Sequence, residues 1–151
     1  MSVPAGPAPA RRGMLWTDIA ILTLGMGVAV TISWFVFFRQ LDSYSLDLPA
    51  MVHPVRLMVY ATQFLLVGVL AFGLVRLRMR NVTPGQLAIT VLAAWVGEGV
   101  VLTIIGAPLV ANELDPEIAW YYWLVATAGP VQPAVAFLAG WLGLETASSS
   151  T

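Results

Sequence analysis

The chain has 151 residues, of which 59% are hydrophobic and only 10% are charged, and its mean hydropathy is +0.84. Soluble domains carry about 25% charged residues, so this composition belongs to the membrane class. All seven basic residues are arginines, which favours a high-GC genome and argues against a polybasic patch for nucleic acid or anionic lipid. The absence of cysteine excludes disulfides, thiolate metal sites and dithiol redox chemistry.

Four segments are apolar over the length of about 20 residues that a helix needs to cross a bilayer. Continuous apolar runs of this length are seldom cores of soluble helices. The sequence therefore predicts an all-α integral membrane protein, a four-transmembrane-helix bundle within residues 14–143. Residues 1–13, rich in Pro and Ala, are expected to form a disordered arm, and residues 144–151 a flexible tail. The predicted spans are about 16–38, 54–75, 86–111 and 118–143.

The charges between the spans predict the orientation of the bundle. Arginine excess marks the cytoplasmic side of a membrane protein. Five arginines lie before the first span or between the second and third, whereas the other two connections hold five acids. Arg39 and Arg56 fall on the acidic side and are outnumbered. We therefore expect a multi-pass protein of the cell inner (plasma) membrane with both termini in the cytoplasm.

Two polar residues are placed where helix caps are expected. Thr83 precedes Pro84, and proline is favoured in the first position of a helix. Asp18 follows Thr17 near the start of the first span, where a carboxylate would interact favourably with the positive end of the helix dipole. Thr83 is thus predicted to cap the third helix and Asp18 the first.

Glu98 is the one acidic residue near the middle of a predicted span. A carboxylate at the bilayer centre costs at least ~2.5–3.5 kcal/mol on insertion scales, so it should be protonated, paired or turned toward a polar cavity. Counting residues from the span ends places Gln63 in the second span and Gln132 in the fourth at similar depth. The first span has small or polar residues at that depth as well, namely Gly25, Gly27 and Thr31.

Helix-breaking residues occupy the centre of the fourth span. Pro130 and Pro133, with Gly129 beside them, are predicted to kink or locally unwind this helix, because a proline in a helix interior removes a backbone hydrogen bond. Freed carbonyls are tolerated at membrane depth only against protein or a water-filled cavity. Gln132 or a protonated Glu98 could donate hydrogen bonds to them.

Small residues at helical spacing predict close contacts between helices. Gly97 and Gly99 flank Glu98 and let another helix approach, and Ala93 with Gly97 forms a small-xxx-small pattern. Two further stripes of this kind lie in the fourth span and are predicted as faces on which another protein could dock: Ala136 with Gly140, and Ala139 with Gly143.

Two interpretations of the midplane polar residues stay open. In the first, Glu98 is neutral, bonds to Gln63, Gln132 or a freed carbonyl, and specifies helix packing. In the second, it is a proton or cation site that titrates during a transport cycle. The predicted site consists of Glu98, Gln63, Gln132 and Pro130.

Catalysis and cofactor binding receive little support from the sequence. His53 is the only histidine, so it cannot supply both axial ligands of a membrane b-type haem. With Asp42 or Asp47 it could bind a metal, but a capping or interfacial role is simpler. No Ser/His/Asp set, phosphate-binding glycine loop or spaced histidine cluster is present. We expect no cofactor, no metal site and no enzymatic activity.

Three functional hypotheses follow. The first is a non-catalytic accessory subunit of a larger energy-transducing or transport complex in the membrane, because short loops leave little room for a private active site. The second is a proton-coupled small-solute transporter that works as a homodimer with Glu98 as the coupling site. A lipid-modifying intramembrane enzyme is third. The predicted partners are the lipid bilayer and either other membrane subunits or a second copy of the chain, and no nucleic acid.

Overall fold

The computed structural model describes residues 12–41, 54–110 and 129–148, and within these ranges the chain is all-helical, with no strand. Helix α1 spans Arg12–Leu41, α2 spans Pro54–Arg78, α3 spans Pro84–Val110 and α4 spans Val131–Ser148. The predicted all-α class is confirmed for this part of the chain. Residues 1–11, residues 149–151 and the acids of the two connections lie outside the described residues. Helix α1 includes residues 12–13, which were predicted as part of the arm, and α4 includes residues 144–148, which were predicted as part of the tail.

Three of the helices are long and apolar enough to cross a membrane, as judged by length and composition. They are α1, α2 and α3, and they coincide with the first three predicted spans. The fourth predicted span, 118–143, is only partly described, because the description resumes at Gly129 and α4 begins at Val131.

Helix α3 begins with a reciprocal cap. The Gln86 backbone N–H donates to Thr83 Oγ1 at 3.2 Å, and the Thr83 backbone N–H donates to Gln86 Oε1 at 2.9 Å. This capping box satisfies two backbone donors that the first turn leaves without a helical partner. Pro84 is the first helical residue. The prediction for Thr83 and Pro84 is confirmed.

An ion pair joins α1 to α2. Arg78 Nε donates to Asp18 Oδ1 at 2.9 Å, and the Asp18 side chain is buried. Since α1 begins at Arg12, Asp18 lies well inside the helix, and the prediction that it caps α1 was wrong. The pair neutralises a buried acid and places the start of α1 beside the end of α2. We call this the arginine end of the protein, because Arg76 and Arg80 are there as well.

The four helices pack around a shared hydrophobic cluster, with α2 against α1 and α4, and α3 against α1 and α4. Helices α1, α2 and α3 each contribute residues spaced three or four apart, which lie on one face of a helix, and α4 contributes Ala136. The members of this core cluster, in chain order, are Leu22, Met26, Ala29, Val67, Ala71, Leu74, Val75, Met79, Leu87, Val91, Ala94 and Ala136.

The small-residue stripes of α4 are used inside the protein. A Cβ at Gly140 would lie 3.1 Å from Leu87 Cδ1, and a Cβ at Gly143 would lie 3.1 Å from the backbone oxygen of Phe72. Ala136 is fully buried in the core cluster, and Ala139 contacts the Gly68 position. These stripes bring α4 close to α2 and α3, so the prediction that they are docking faces for another protein was wrong.

Gly97 brings α3 close to α1. A Cβ at this position would lie 3.0 Å from Thr23 Oγ1, and Thr23 Oγ1 donates to the Ala94 carbonyl at 3.3 Å. The predicted close approach of a helix at Gly97 is confirmed. Its partner is α1.

The outward faces of the helices carry large apolar side chains. Such faces suit contact with lipid tails, which are as apolar as the side chains themselves. Those more than half exposed include Leu24, Val28, Val36, Leu65, Val69, Ile89, Leu92, Val96, Val100 and Ile104.

The close contact at Gly143 predicts that Gly143→Ala lowers thermal stability. The added methyl group meets the Phe72 backbone, which cannot rotate away, and overpacking of this kind costs about 1–3 kcal/mol. Gly73→Ala is the matched control, because a Cβ there meets nothing within 4 Å. Thermal unfolding of both variants in detergent measures the difference; equal melting temperatures would contradict the described α2–α4 packing.

Candidate polar binding site

Four buried polar side chains, one from each helix, lie directly beyond the core cluster. Each is four residues from the outermost core-cluster residue of its own helix, and therefore lies one turn along the same face. All four side chains are fully buried. We call this set the polar layer: Ser33 next to Ala29, Gln63 next to Val67, Glu98 next to Ala94, and Gln132 next to Ala136.

The helix directions put the four residues at the same end of the core cluster. α1 and α2 are antiparallel, because Asp18 pairs with Arg78 while Gly25 faces Leu70. α3 and α4 are antiparallel, because Leu87 faces Gly140 while Glu98 bonds to Gln132. Ser33 and Glu98 come four residues after the neighbouring core-cluster residue in the chain, whereas Gln63 and Gln132 come four residues before it. Because the helices alternate in direction in the same way, each polar side chain lies farther from the arginine end than the neighbouring core-cluster residue does. The core cluster lies between the polar layer and the arginines.

Glu98 and Gln132 are joined by a hydrogen bond across α3 and α4. Gln132 Nε2 donates to Glu98 Oε1 at 3.1 Å, and both side chains are fully buried. Glu98 and Gln132 were predicted from the sequence to lie at similar depth, and Gln132 was one of the hydrogen-bond partners considered for Glu98. The structure brings the two residues together.

Gln132 is held in position by the start of α4. Gly129 has a φ of +56°, a left-handed conformation that glycine adopts without steric cost, and the turn it forms with Pro130 leads into the helix at Val131. The Ala134 backbone N–H donates to the Pro130 carbonyl at 3.3 Å. Pro133 lies in the first helical turn, where a missing N–H removes no helical bond. Whether these residues kink a longer helix depends on residues 118–128, which lie outside the described residues.

Gln63 lies at the level of Gln132 on the neighbouring helix α2. α2 and α4 run parallel, since Gly68 faces Val135 and Ala139 while Phe72 faces Gly143. The residue numbers in these contacts differ by 67 to 71, a range that includes the difference of 69 between Gln63 and Gln132. The described residues provide no hydrogen bond between Gln63 and Glu98 or Gln132.

Ser33 completes the layer on α1. Gly25 faces Leu70, and moving two turns away from the arginine end along both helices brings Ser33 to the level of Gln63. The Ser33 hydroxyl donates to the Ala29 carbonyl at 2.7 Å, and its oxygen retains acceptor capacity. Ser33 was not among the predicted site residues, although its spacing from Leu22, Met26 and Ala29 places it on the same helix face.

Thr31, in contrast, points outward. Its side chain is exposed and donates to the Gly27 carbonyl at 2.8 Å. Thr31 lies near the predicted depth, two residues before Ser33, but its side chain is not part of the polar layer. Gly25 is instead a contact point for α2, because a Cβ there would overlap Leu70 Cδ2.

Several atoms of the polar layer have no hydrogen-bond partner among the described residues. They are Glu98 Oε2, Gln132 Oε1, and both Oε1 and Nε2 of Gln63. Leaving a buried polar group unsatisfied costs about 1–3 kcal/mol, and most buried side-chain polar atoms in proteins have a partner. These unsatisfied groups would destabilise the fold if the layer served only to pack the helices together. The arrangement therefore favours a role in binding.

The metal site considered from the sequence involves other residues than those of the polar layer. His53, Asp42 and Asp47 are outside the described residues, so the structure gives no geometry for the metal site considered from the sequence. Within residues 12–41, 54–110 and 129–148, no group of three or more His, Asp or Glu side chains could hold a metal ion.

Comparison with known proteins does not add a family to this description. The chain matches no protein-family model, no curated protein and no solved structure. The polar layer is therefore the main basis for a functional proposal.

The unpartnered carboxamide of Gln63 predicts that Gln63→Leu raises stability. Leucine has similar volume, and removing a buried group with no partner recovers up to about 1–3 kcal/mol of desolvation cost. Thr90→Val is a control at a buried polar position whose hydroxyl is satisfied by the Gln86 carbonyl at 2.8 Å. Thermal unfolding should show a higher melting temperature for Gln63→Leu. A large decrease would mean that Gln63 is a packing residue with its bonds made.

Proposed function

We propose that this chain is a four-span membrane protein that transports a small solute coupled to protons, with Glu98 as the coupling site. The observation that supports this most is the buried pair of Glu98 and Gln132 on different helices, with acceptor atoms left over on both. Intramembrane acids are expensive to keep and are functional by default. A dry packing contact would not need the unpartnered Gln63 at the same level.

The start of α4 supports a site that can change shape. Gln132 is the second residue of α4, directly after the turn at Gly129 and Pro130. Interrupted helices form the binding sites of many secondary transporters. A proton on Glu98 converts one acceptor oxygen into a donor, which changes what the carboxyl group offers to Gln132 and to a bound solute. We propose that this change moves the start of α4 relative to α3.

The membrane arrangement belongs to the same proposal. The arginine end, with Arg76, Arg78 and Arg80 beside the start of α1, is proposed to face the cytoplasm because arginine excess marks that side. Residues 118–130 would form the first part of the fourth span, and α4 would form the second part. Both termini would then be cytoplasmic, in the inner (plasma) membrane of a bacterial cell. Because four spans enclose little space, the transporter is proposed to act as a homodimer.

An accessory subunit of a larger membrane complex is the second candidate. Its support is the short connection between α2 and α3, residues 79–83, which is too short to form a site of its own. The α4 stripes no longer support it, because they contact α2 and α3. Size analysis after mild detergent extraction separates the two proposals: a homogeneous, active homodimer would rule out the subunit, and a large hetero-complex would rule out the autonomous transporter.

The proposal predicts that Glu98→Gln abolishes proton-linked transport and leaves the protein folded. Glutamine keeps the acceptor for Gln132 but cannot exchange a proton. The measurement is the collapse of an imposed pH gradient in membrane vesicles when candidate solutes are added, which should fall to the level of vesicles without the protein.

The matched control is Glu145→Gln, which changes an exposed acid on α4 that accepts a hydrogen bond from Trp141 Nε1 at 2.7 Å. This variant should transport as the wild type does. Full proton-linked activity in Glu98→Gln would show that Glu98 has no coupling role.

A further inference from the structure

We propose that the polar layer binds a small monovalent cation, either a sodium ion or a protonated primary amine. This inference rests on the proposed function, because it names the ligand of the same site. It depends on which atoms of the layer are unpartnered and on the charge that those atoms carry.

The unpartnered atoms are mostly acceptors. Glu98 Oε2, Gln132 Oε1 and Gln63 Oε1 are oxygens, and Gln63 Nε2 is the one donor in the set. The ligand must therefore supply positive charge or several N–H donors. Three oxygens match the three N–H groups of a primary ammonium, and they equally match a metal ion that prefers oxygen ligands. An anion would meet the oxygens with like charge.

The single carboxylate sets the charge of the ligand. Glu98 is the only acid in the layer, and the buried Asp18 is already paired with Arg78 at the arginine end. Divalent calcium and magnesium sites usually use more oxygen ligands, including further carboxylates or several waters. A charge buried at membrane depth is stable only when it is balanced. One carboxylate therefore balances one positive charge.

Burial limits the size of the ligand. The side chains of Gln63, Glu98 and Gln132 are fully buried, and the core cluster begins one turn away. A bulky organic cation would have to displace the packed helices. Sodium, ammonium and methylammonium are small enough to sit between three side chains.

The arrangement of the core cluster indicates the side from which the cation arrives. Leu22, Met26, Val67 and Val91 lie between the polar layer and the arginine end and are buried almost completely. A cation crossing them would lose its hydration with no polar partner. On the opposite side of the layer, Val59 is the one fully buried apolar side chain among the described residues. Because that side holds fewer buried apolar side chains, the cation is inferred to enter from the end opposite to the arginines.

Thermal unfolding of the purified full-length protein in lipid nanodiscs tests the proposal. Sodium chloride and methylammonium chloride are titrated separately against N-methylglucamine chloride, at constant ionic strength. A ligand that binds only the folded state stabilises it by RT ln(1 + [L]/Kd), so the melting temperature rises with the logarithm of the ligand concentration once that concentration exceeds the dissociation constant. We expect a logarithmic rise of this kind with one of the two small cations, which identifies the source of the positive charge.

Two variants make the result specific. Glu98→Gln should lose the logarithmic rise, whereas Thr90→Val, whose hydroxyl bonds within α3, should keep it. In Gln63→Leu the rise should begin at a higher cation concentration even if the stability of the variant itself increases. No rise with either cation over N-methylglucamine in the wild type, or an equal rise in Glu98→Gln, would overturn the cation site.

Failure of the cation site can be distinguished from failure of the proposed transport function. Saturable cation binding without proton-linked transport would uphold the site and reject the transporter. Proton-linked transport that depends on Glu98 without a cation-induced rise would reject the cation site alone.

Discussion

The hydrogen bond from Gln132 to Glu98 is the interaction on which the organisation of this protein depends, because polar atoms surrounded by apolar helices have few ways of being satisfied. Water cannot reach such groups freely in a membrane interior, so they must bond to each other or line a polar cavity. The four helices solve this only in part. One bond is made across α3 and α4, and four other polar atoms in the layer lack partners among the described residues.

The sharp division between core cluster and polar layer follows from helix periodicity. On each helix, one further step of four residues along the buried face changes the side chain from apolar to polar. Packing on the apolar side is close, with Gly140 and Gly143 admitting Leu87 and the Phe72 backbone. In a lipid environment such contacts hold helices together by dispersion and not by exclusion of water. The stability gained from packing in the core cluster can thus offset the cost of the unsatisfied polar groups in the polar layer.

Much of this architecture could be predicted from the sequence, because span length, cap chemistry and the cost of a buried acid are local properties. The first three helices, the Thr83 cap and the closeness of Glu98 to Gln132 are of this kind. Helix rotation is not local. The sequence could not tell that Thr31 points outward, that Ser33 points inward, or that the α4 stripes face α2 and α3, since every face of these helices is apolar enough for either lipid or protein. Asp18 was misassigned because the helix starts earlier than the apolar run does.

The polar layer is proposed to be a binding site that is reached from the side opposite to the arginines, in contrast to the dry core cluster. Single-cysteine labelling tests this most directly, because the chain has no native cysteine. Ser33→Cys and Ala29→Cys lie one turn apart on the same face of α1, in the layer and in the cluster respectively. With a small cationic thiol reagent applied to oriented vesicles, Ser33→Cys should react faster than Ala29→Cys, and only from the side opposite to the arginines. Equal protection of both cysteines would show that the layer is dry packing and would contradict the account.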